Sequence, residues 1–251
     1  NNITFQLNSN NSGGELDASG LLGNFTLRGT NQSDVLIGND DHNLIILNSD
    51  TKDGSGYGID TVIAGAGDDD IQLQAFQYFP SPQQHFSGWN DADEEYYLEG
   101  SFDGGEGQDR FLIHISERWF NPWGGYSYET HWGINLTQLN LASIEIFEIN
   151  NIYADGANYV VMTPDQVSDL SQIKGEVYLH LEGGGGIDLN HLSEIGIAPS
   201  FGWFIADDRD YTITGTVYGD VITLGMGLMV VNAGAGDDTI RLDGKAIVAD
   251  V

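Results

Sequence analysis

Nine residues is the length on which this chain repeats itself. Gly29-Thr-Asn-Gln-Ser-Asp34-Val-Leu36-Ile runs straight into Gly38-Asn-Asp-Asp-His-Asn43-Leu-Ile45-Ile. Ser55-Gly-Tyr-Gly-Ile-Asp60-Thr-Val62-Ile is followed by Ala64-Gly-Ala-Gly-Asp-Asp69-Asp-Ile71-Gln, and Gly104-Gly-Glu-Gly-Gln-Asp109-Arg-Phe111-Leu stands alone in mid-chain. Further copies start at Gly215, Leu224 and Ala233. The sixth position reads Asp34, Asn43, Asp60, Asp69, Asp109, Asp220, Met229 and Asp238, and the eighth is apolar every time, from Leu36 to Ile240. A unit this short cannot bury its one apolar side chain alone, so the copies must stack coil upon coil.

The order of residues within the unit has a chemical logic. Glycines at the first, second and fourth positions let the backbone take positive φ and turn its carbonyls inward, and the Asp two residues later adds a carboxylate to the same ring. Such a cage offers only hard oxygen and suits calcium. The x-apolar-x that follows makes a short strand whose single inward side chain packs on the next coil. On this reading Asp34, Asp60, Asp69, Asp109, Asp220 and Asp238 are candidate metal ligands, with Asp188, after Gly183-Gly-Gly-Gly-Ile, as another. Asn43 and Met229 lack the carboxylate, which puts those two turns in doubt as metal sites.

The pattern resembles the RTX nonapeptide family, Gly-Gly-x-Gly-x-Asp-x-apolar-x, and the copy at 104–112 matches it at every fixed position. The resemblance implies a parallel β-roll with several calcium ions between successive turns. The expected fold is therefore all-β with one short helix, a split parallel β-roll of RTX type stabilised by calcium and carrying an aromatic-rich insertion. It is expected as a single domain over 1–251, with roll segments 29–73, 103–113 and 215–242 and insertions 74–102 and 114–214.

Composition narrows the function. With 8 Lys+Arg against 38 Asp+Glu, a formal net charge of −30, the chain is repelled by nucleic acid and by anionic membrane. It has no Cys, so neither a disulfide framework nor a thiolate site is possible. No apolar run is long enough for a bilayer span. The chain opens at Asn1 with no visible signal peptide, and we expect it to be a piece of a longer chain; the RTX resemblance implies a secreted bacterial protein, and a monomer is expected because copies this negative repel one another.

Between the repeat clusters the grammar changes. Ile134, Leu136, Ile144, Ile146, Val177, Leu179 and Leu181 alternate with polar residues and predict strands with one buried face. Thr163-Pro164-Asp165-Gln166 is a capping box with Pro at the first helical position, which predicts a short helix from Pro164 towards Leu170. The order of motifs from Ser143 to Asp188 resembles a segment found in giant RTX adhesins.

Residues 74–133 are the richest in aromatics, and in 117–133 these mix with Pro122, Gly124 and Gly125 as in a long loop. Arg118, Trp119, Trp123, Tyr126, Tyr128 and Trp132 are the candidate ligand-binding residues, Arg118 as partner for an anion and the rings as a contact surface. No zinc-helix pair, P-loop or Gly-x-Ser-x-Gly elbow occurs, so no enzyme is expected.

A split roll with an aromatic insertion resembles the peptide-binding modules of RTX adhesins, which implies a partner peptide or protein C-terminus on a host or neighbouring cell. A bound calcium would then help to hold the ligand carboxylate. A lectin-like module for a cell-surface glycan is the alternative, a ligand-free structural or secretion-linked spacer comes third, and an accessory module of a polysaccharide-modifying enzyme fourth. Each places the protein outside the cell or at its surface.

Overall fold

A computed structural model describes residues 3–8, 13–49, 58–77, 94–117, 132–151, 159–175, 178–195, 202–205, 209–224, 227–242 and 247–250. Among the described residues the strands are short and every pairing is parallel, as expected where each short apolar strand lies beside the same phrase of the next coil. The longest sheet has eight strands: β1 (Ile3–Gln6), β3 (Phe25–Arg28), β5 (Leu44–Ser49), β7 (Asp70–Gln77), β10 (Arg110–Glu117), β13 (Ile146–Asn151), β15 (Gln172–Lys174) and β18 (Glu194–Ile195). A five-stranded sheet holds β2 (Glu15–Asp17), β4 (Val35–Ile37), β6 (Asp60–Ala66), β9 (Gly100–Glu106) and β12 (Leu139–Ala142).

A seven-stranded sheet takes β8 (Glu94–Tyr97), β11 (Trp132–Asn135), β14 (Tyr159–Met162), β16 (Tyr178–Leu181), β19 (Gly202–Ile205), β21 (Val221–Leu224) and β23 (Thr239–Leu242). The fourth sheet holds β17 (Gly185–Asp188), β20 (Tyr211–Thr214), β22 (Leu228–Asn232) and β24 (Ile247–Asp250).

Chain order shows how the sheets are wound. The early coils alternate between the five- and eight-stranded sheets, β4 to β5 and then β6 to β7. From β8 onward a third strand per coil enters the seven-stranded sheet, as in β9–β10–β11 and β12–β13–β14. The last coils alternate between the four- and seven-stranded sheets, β20–β21 and β22–β23. The stretches 74–102 and 114–214, expected as insertions between roll segments, thus contribute strands to the same sheets as the repeats.

The only helix among the described residues, α1 (Pro164–Ser168), falls between β14 and β15 and packs on β17. It has the expected capping box: the Gln166 N–H donates to Thr163 Oγ1, and the Thr163 N–H donates to Gln166 Oε1 at 2.9 Å. Gln166 Nε2 also donates to the carbonyls of Leu136 and Leu139, at 2.7 and 2.8 Å, tying the helix to the turn before β12. No described helix is long and apolar enough to cross a membrane.

Parallel register turns the eighth position of the repeat into continuous inward rows. Phe5, Leu27, Ile45, Ile71, Phe111, Phe147 and Ile173 stack along the eight-stranded sheet, and Leu16, Leu36, Val62, Phe102 and Leu141 along the five-stranded one. The two rows meet at Phe102 and Phe111, whose ring centroids lie 5.4 Å apart edge to face. Both rings are fully buried, and truncating either to Ala should cost about 3–5 kcal/mol. On the outer surface Arg110 joins neighbouring strands, binding Asp70 at 2.8 Å and Glu148 at 2.9 Å.

Candidate metal centre

Where a coil enters a sheet through an acidic turn of the repeat, the sixth residue of that turn sits at the entry. Stacking brings these residues into short ladders. The Gly14 N–H donates to Asp34 Oδ1 at 2.8 Å and the Asp34 N–H to Asp60 Oδ1 at 2.8 Å, where the chain enters the five-stranded sheet. Entering the eight-stranded sheet, the N–H of Asn43 donates to Asp69 Oδ1 at 2.6 Å, that of Asp69 to Asp109 Oδ1 at 2.8 Å, and that of Asp109 to Glu145 Oε2 at 2.8 Å. Entering the seven-stranded sheet, the Asp220 N–H donates to Asp238 Oδ1 at 2.9 Å. One carboxylate oxygen per step therefore holds the next coil in place by a charge-assisted bond.

The other oxygen decides the chemistry. Asp69 and Asp109 are fully buried, and the Oδ2 atom of each has no hydrogen-bond partner, as does Asn43 Oδ1 on the preceding turn. A buried carboxylate with an unmet oxygen is costly, and burial pushes both acids up to about 6. Negative neighbours add to this: Asp70 raises Asp69, while Asp69, Glu145 and Asp68 raise Asp109. Asp60 is pushed up to about 7, mainly by burial and further by Asp34. The ladder thus concentrates charge that its own hydrogen bonds do not neutralise.

The backbone around these acids is as tight as the repeat implies. Gly65 and Gly105 have φ of 115° and 97°, and a Cβ on Gly105 would fall on the Gly65 carbonyl oxygen. A Cβ on Gly104 would collide with the Ser143 carbonyl and with Asp109 itself. Among the described residues no three His, Asp or Glu side chains converge as a ligand group. A cation here would take one carboxylate from each turn and the rest of its shell from carbonyl oxygen, which suits a hard ion such as calcium. The donor set and the unpartnered buried carboxylate oxygens of Asp69 and Asp109 fit that ion.

The remaining candidates divide. Asp34 and Asp220 are buried, but each gives its Oδ2 to a Thr of its own turn: Thr30 N and Oγ1 at 2.6 and 2.9 Å, Thr216 N and Oγ1 at 2.8 and 3.0 Å. Asp238 is half-buried. Asp188 is not brought into a ladder: it lies on the exposed face of β17, with Ile187 facing inward, and its Oδ1 accepts the Asn190 N–H at 3.0 Å. Gly185 and Gly186 are part of β17 itself, so Asp188 ends a strand instead of closing a turn that enters one. Met229 is core, fully buried opposite Tyr211.

Arg118, Trp119, Trp123, Tyr126 and Tyr128 lie outside the described residues, and Trp132 is placed only by its backbone, opposite Glu94 at the start of β11. Thr30, Thr216 and Glu145 were not foreseen as part of the corners. The Thr at the second position of two copies and the Ser-Ile-Glu phrase before β13 were the signals available. Comparison with protein-family profiles, with curated proteins and with solved structures returns no match to the chain.

Proposed function

We propose that the chain is a calcium-dependent ligand-binding module of a large secreted bacterial adhesin. In this reading an RTX roll, stiffened by calcium, presents the aromatic stretch 118–132 to partner peptides or protein C-termini at a cell surface. Calcium would supply the positive charge that the acid ladder lacks and a coordination position able to take a ligand carboxylate. The observation that carries the reading is the pair of buried, unpartnered Oδ2 atoms of Asp69 and Asp109 on consecutive turns.

The Asp69 and Asp109 carboxylates would hold the ion, and Glu145 would anchor the lower end of the ladder through the Asp109 N–H. The aromatic side chains with Arg118 would read the ligand, the cation meeting its anionic end. The reading is tested by binding labelled protein to C-terminal peptides, their amidated forms and glycans, in millimolar calcium and in excess chelator. Calcium-dependent capture of free-acid peptides, lost on amidation, is the expected result. Competition by free sugars with indifference to amidation would replace the peptide by a glycan, and silence in calcium from folded protein would leave a spacer.

A further inference from the structure

Five described turns share the same length and the same stacking, yet their sixth residues end in different states. At 64–69 and 104–109 the second carboxylate oxygen is buried with no partner. At 29–34 both oxygens of Asp34 are taken, Oδ1 by the Gly14 N–H and Oδ2 by the N–H and hydroxyl of Thr30. At 215–220 Thr216 makes the same two bonds to Asp220 Oδ2 and is itself fully buried.

The turn at 38–43 uses a third device. Asn43 Nδ2 donates to the carbonyls of Asn39 and Asp41 at 3.3 and 2.5 Å and to Asp69 Oδ1 at 3.2 Å. Three oxygens facing one point is what a cation would find there, and an amide nitrogen with two hydrogens occupies it instead. The orientation of the amide follows from these acceptors, since its oxygen in the same place would face three oxygens.

We infer that Thr30, Asn43 and Thr216 are built-in substitutes for the cation, and that among these five turns calcium is required only between 64–69 and 104–109. The inference rests on the calcium reading above. It makes the repeat a mixed device in which the second and sixth residues choose, turn by turn, between a metal and a side-chain cap. An acid at the sixth position then does not by itself mark a metal site, and a single change should open a closed turn: Asn43→Asp removes the donor and adds a carboxylate beside Asp69.

The test counts calcium ions bound per chain by equilibrium dialysis in the wild type, Asp34→Asn, Asp220→Asn, Asp109→Asn and Asn43→Asp, with melting followed in calcium and in chelator. Asp34→Asn and Asp220→Asn should bind as many ions as the wild type while melting lower in both media. Asp109→Asn should lose at least one ion, and Asn43→Asp should gain one while melting lower in chelator than the wild type. Loss of an ion in Asp34→Asn or Asp220→Asn, or an unchanged count in folded Asn43→Asp, overturns the inference and leaves the calcium reading standing. A wild type that binds no calcium overturns both. If Asn43→Asp does not fold, the Asp34 and Asp220 variants decide alone.

Discussion

The turn at 29–34 and the turn at 104–109 have the same length, carry Asp at the same place and bury it equally well. They differ at the second residue. Thr30 meets its carboxylate with two donors, whereas Gly105 offers none, takes φ of 97° and leaves no room for a Cβ against the carbonyl of Gly65. The difference teaches that the Asp of the repeat has two separable tasks. Its Oδ1 holds the neighbouring coil in both turns, and only in the second is its Oδ2 left buried without a partner.

The comparison breaks most visibly at the glycine. Gly105→Ala puts a Cβ into positive φ and onto a backbone oxygen, so it should destabilise the protein by about 3 kcal/mol or more, lowering Tm by roughly 10 °C in a chain this size. Gly186→Ala, where a Cβ meets nothing within 4 Å, serves as the control and should change Tm by little. Next in size is the closed turn: Thr30→Ala removes a hydroxyl bonded to a buried carboxylate and should cost about 1.5–3 kcal/mol, equally in calcium and in chelator. A loss confined to chelator would show that the turn also uses metal.

The buried acids predict a pH dependence of unusual sign. Asp60, Asp69 and Asp109 sit at about 7, 6 and 6 when folded, above the value of about 3.9 for an unfolded Asp. Between about pH 4 and pH 7 the folded chain therefore binds more protons than the unfolded one, and these groups lower stability as pH rises through that window. In chelator, melts should be higher at pH 5 than at pH 8; calcium, which takes the place of the protons, should shrink the difference. A chelated protein with higher Tm at pH 8 would contradict the charge ascribed to these turns. The smallest effect is expected beside the open turn: Arg110→Met removes a partly exposed pair of ion pairs worth at most about 1 kcal/mol and should leave calcium affinity unchanged, since that charge is engaged by Asp70 and Glu148.

Much of this was legible in the sequence. Six of the eight eighth positions, Leu36, Ile45, Val62, Ile71, Phe111 and Ile222, are fully buried, because a period of nine returns the same side chain to the same face, while Val231 is half-buried and Ile240 exposed in the last coils. The capping box placed α1 because it needs only four local residues. Between the repeats, Leu179 is buried in the seven-stranded sheet with no nonapeptide phrase to announce it, since a coil with a third strand loses the nine-residue phase. Glu145 continues the Asp ladder by a longer side chain from a shorter turn, and spacing alone could not reveal that substitution. The split between capped and open carboxylates was invisible, because it depends on which donors the fold brings to Oδ2.

On the proposed reading the buried carboxylates at 69 and 109 await a cation. The most direct test of this claim is calorimetric melting of the intact chain at pH 7.5, once in millimolar calcium and once in excess chelator, with magnesium as the control ion. Binding at 100 times the dissociation constant adds about 2.7 kcal/mol per site, so calcium should raise Tm by several degrees or more, with magnesium far less effective. Superimposable melts in calcium and chelator would contradict the claim.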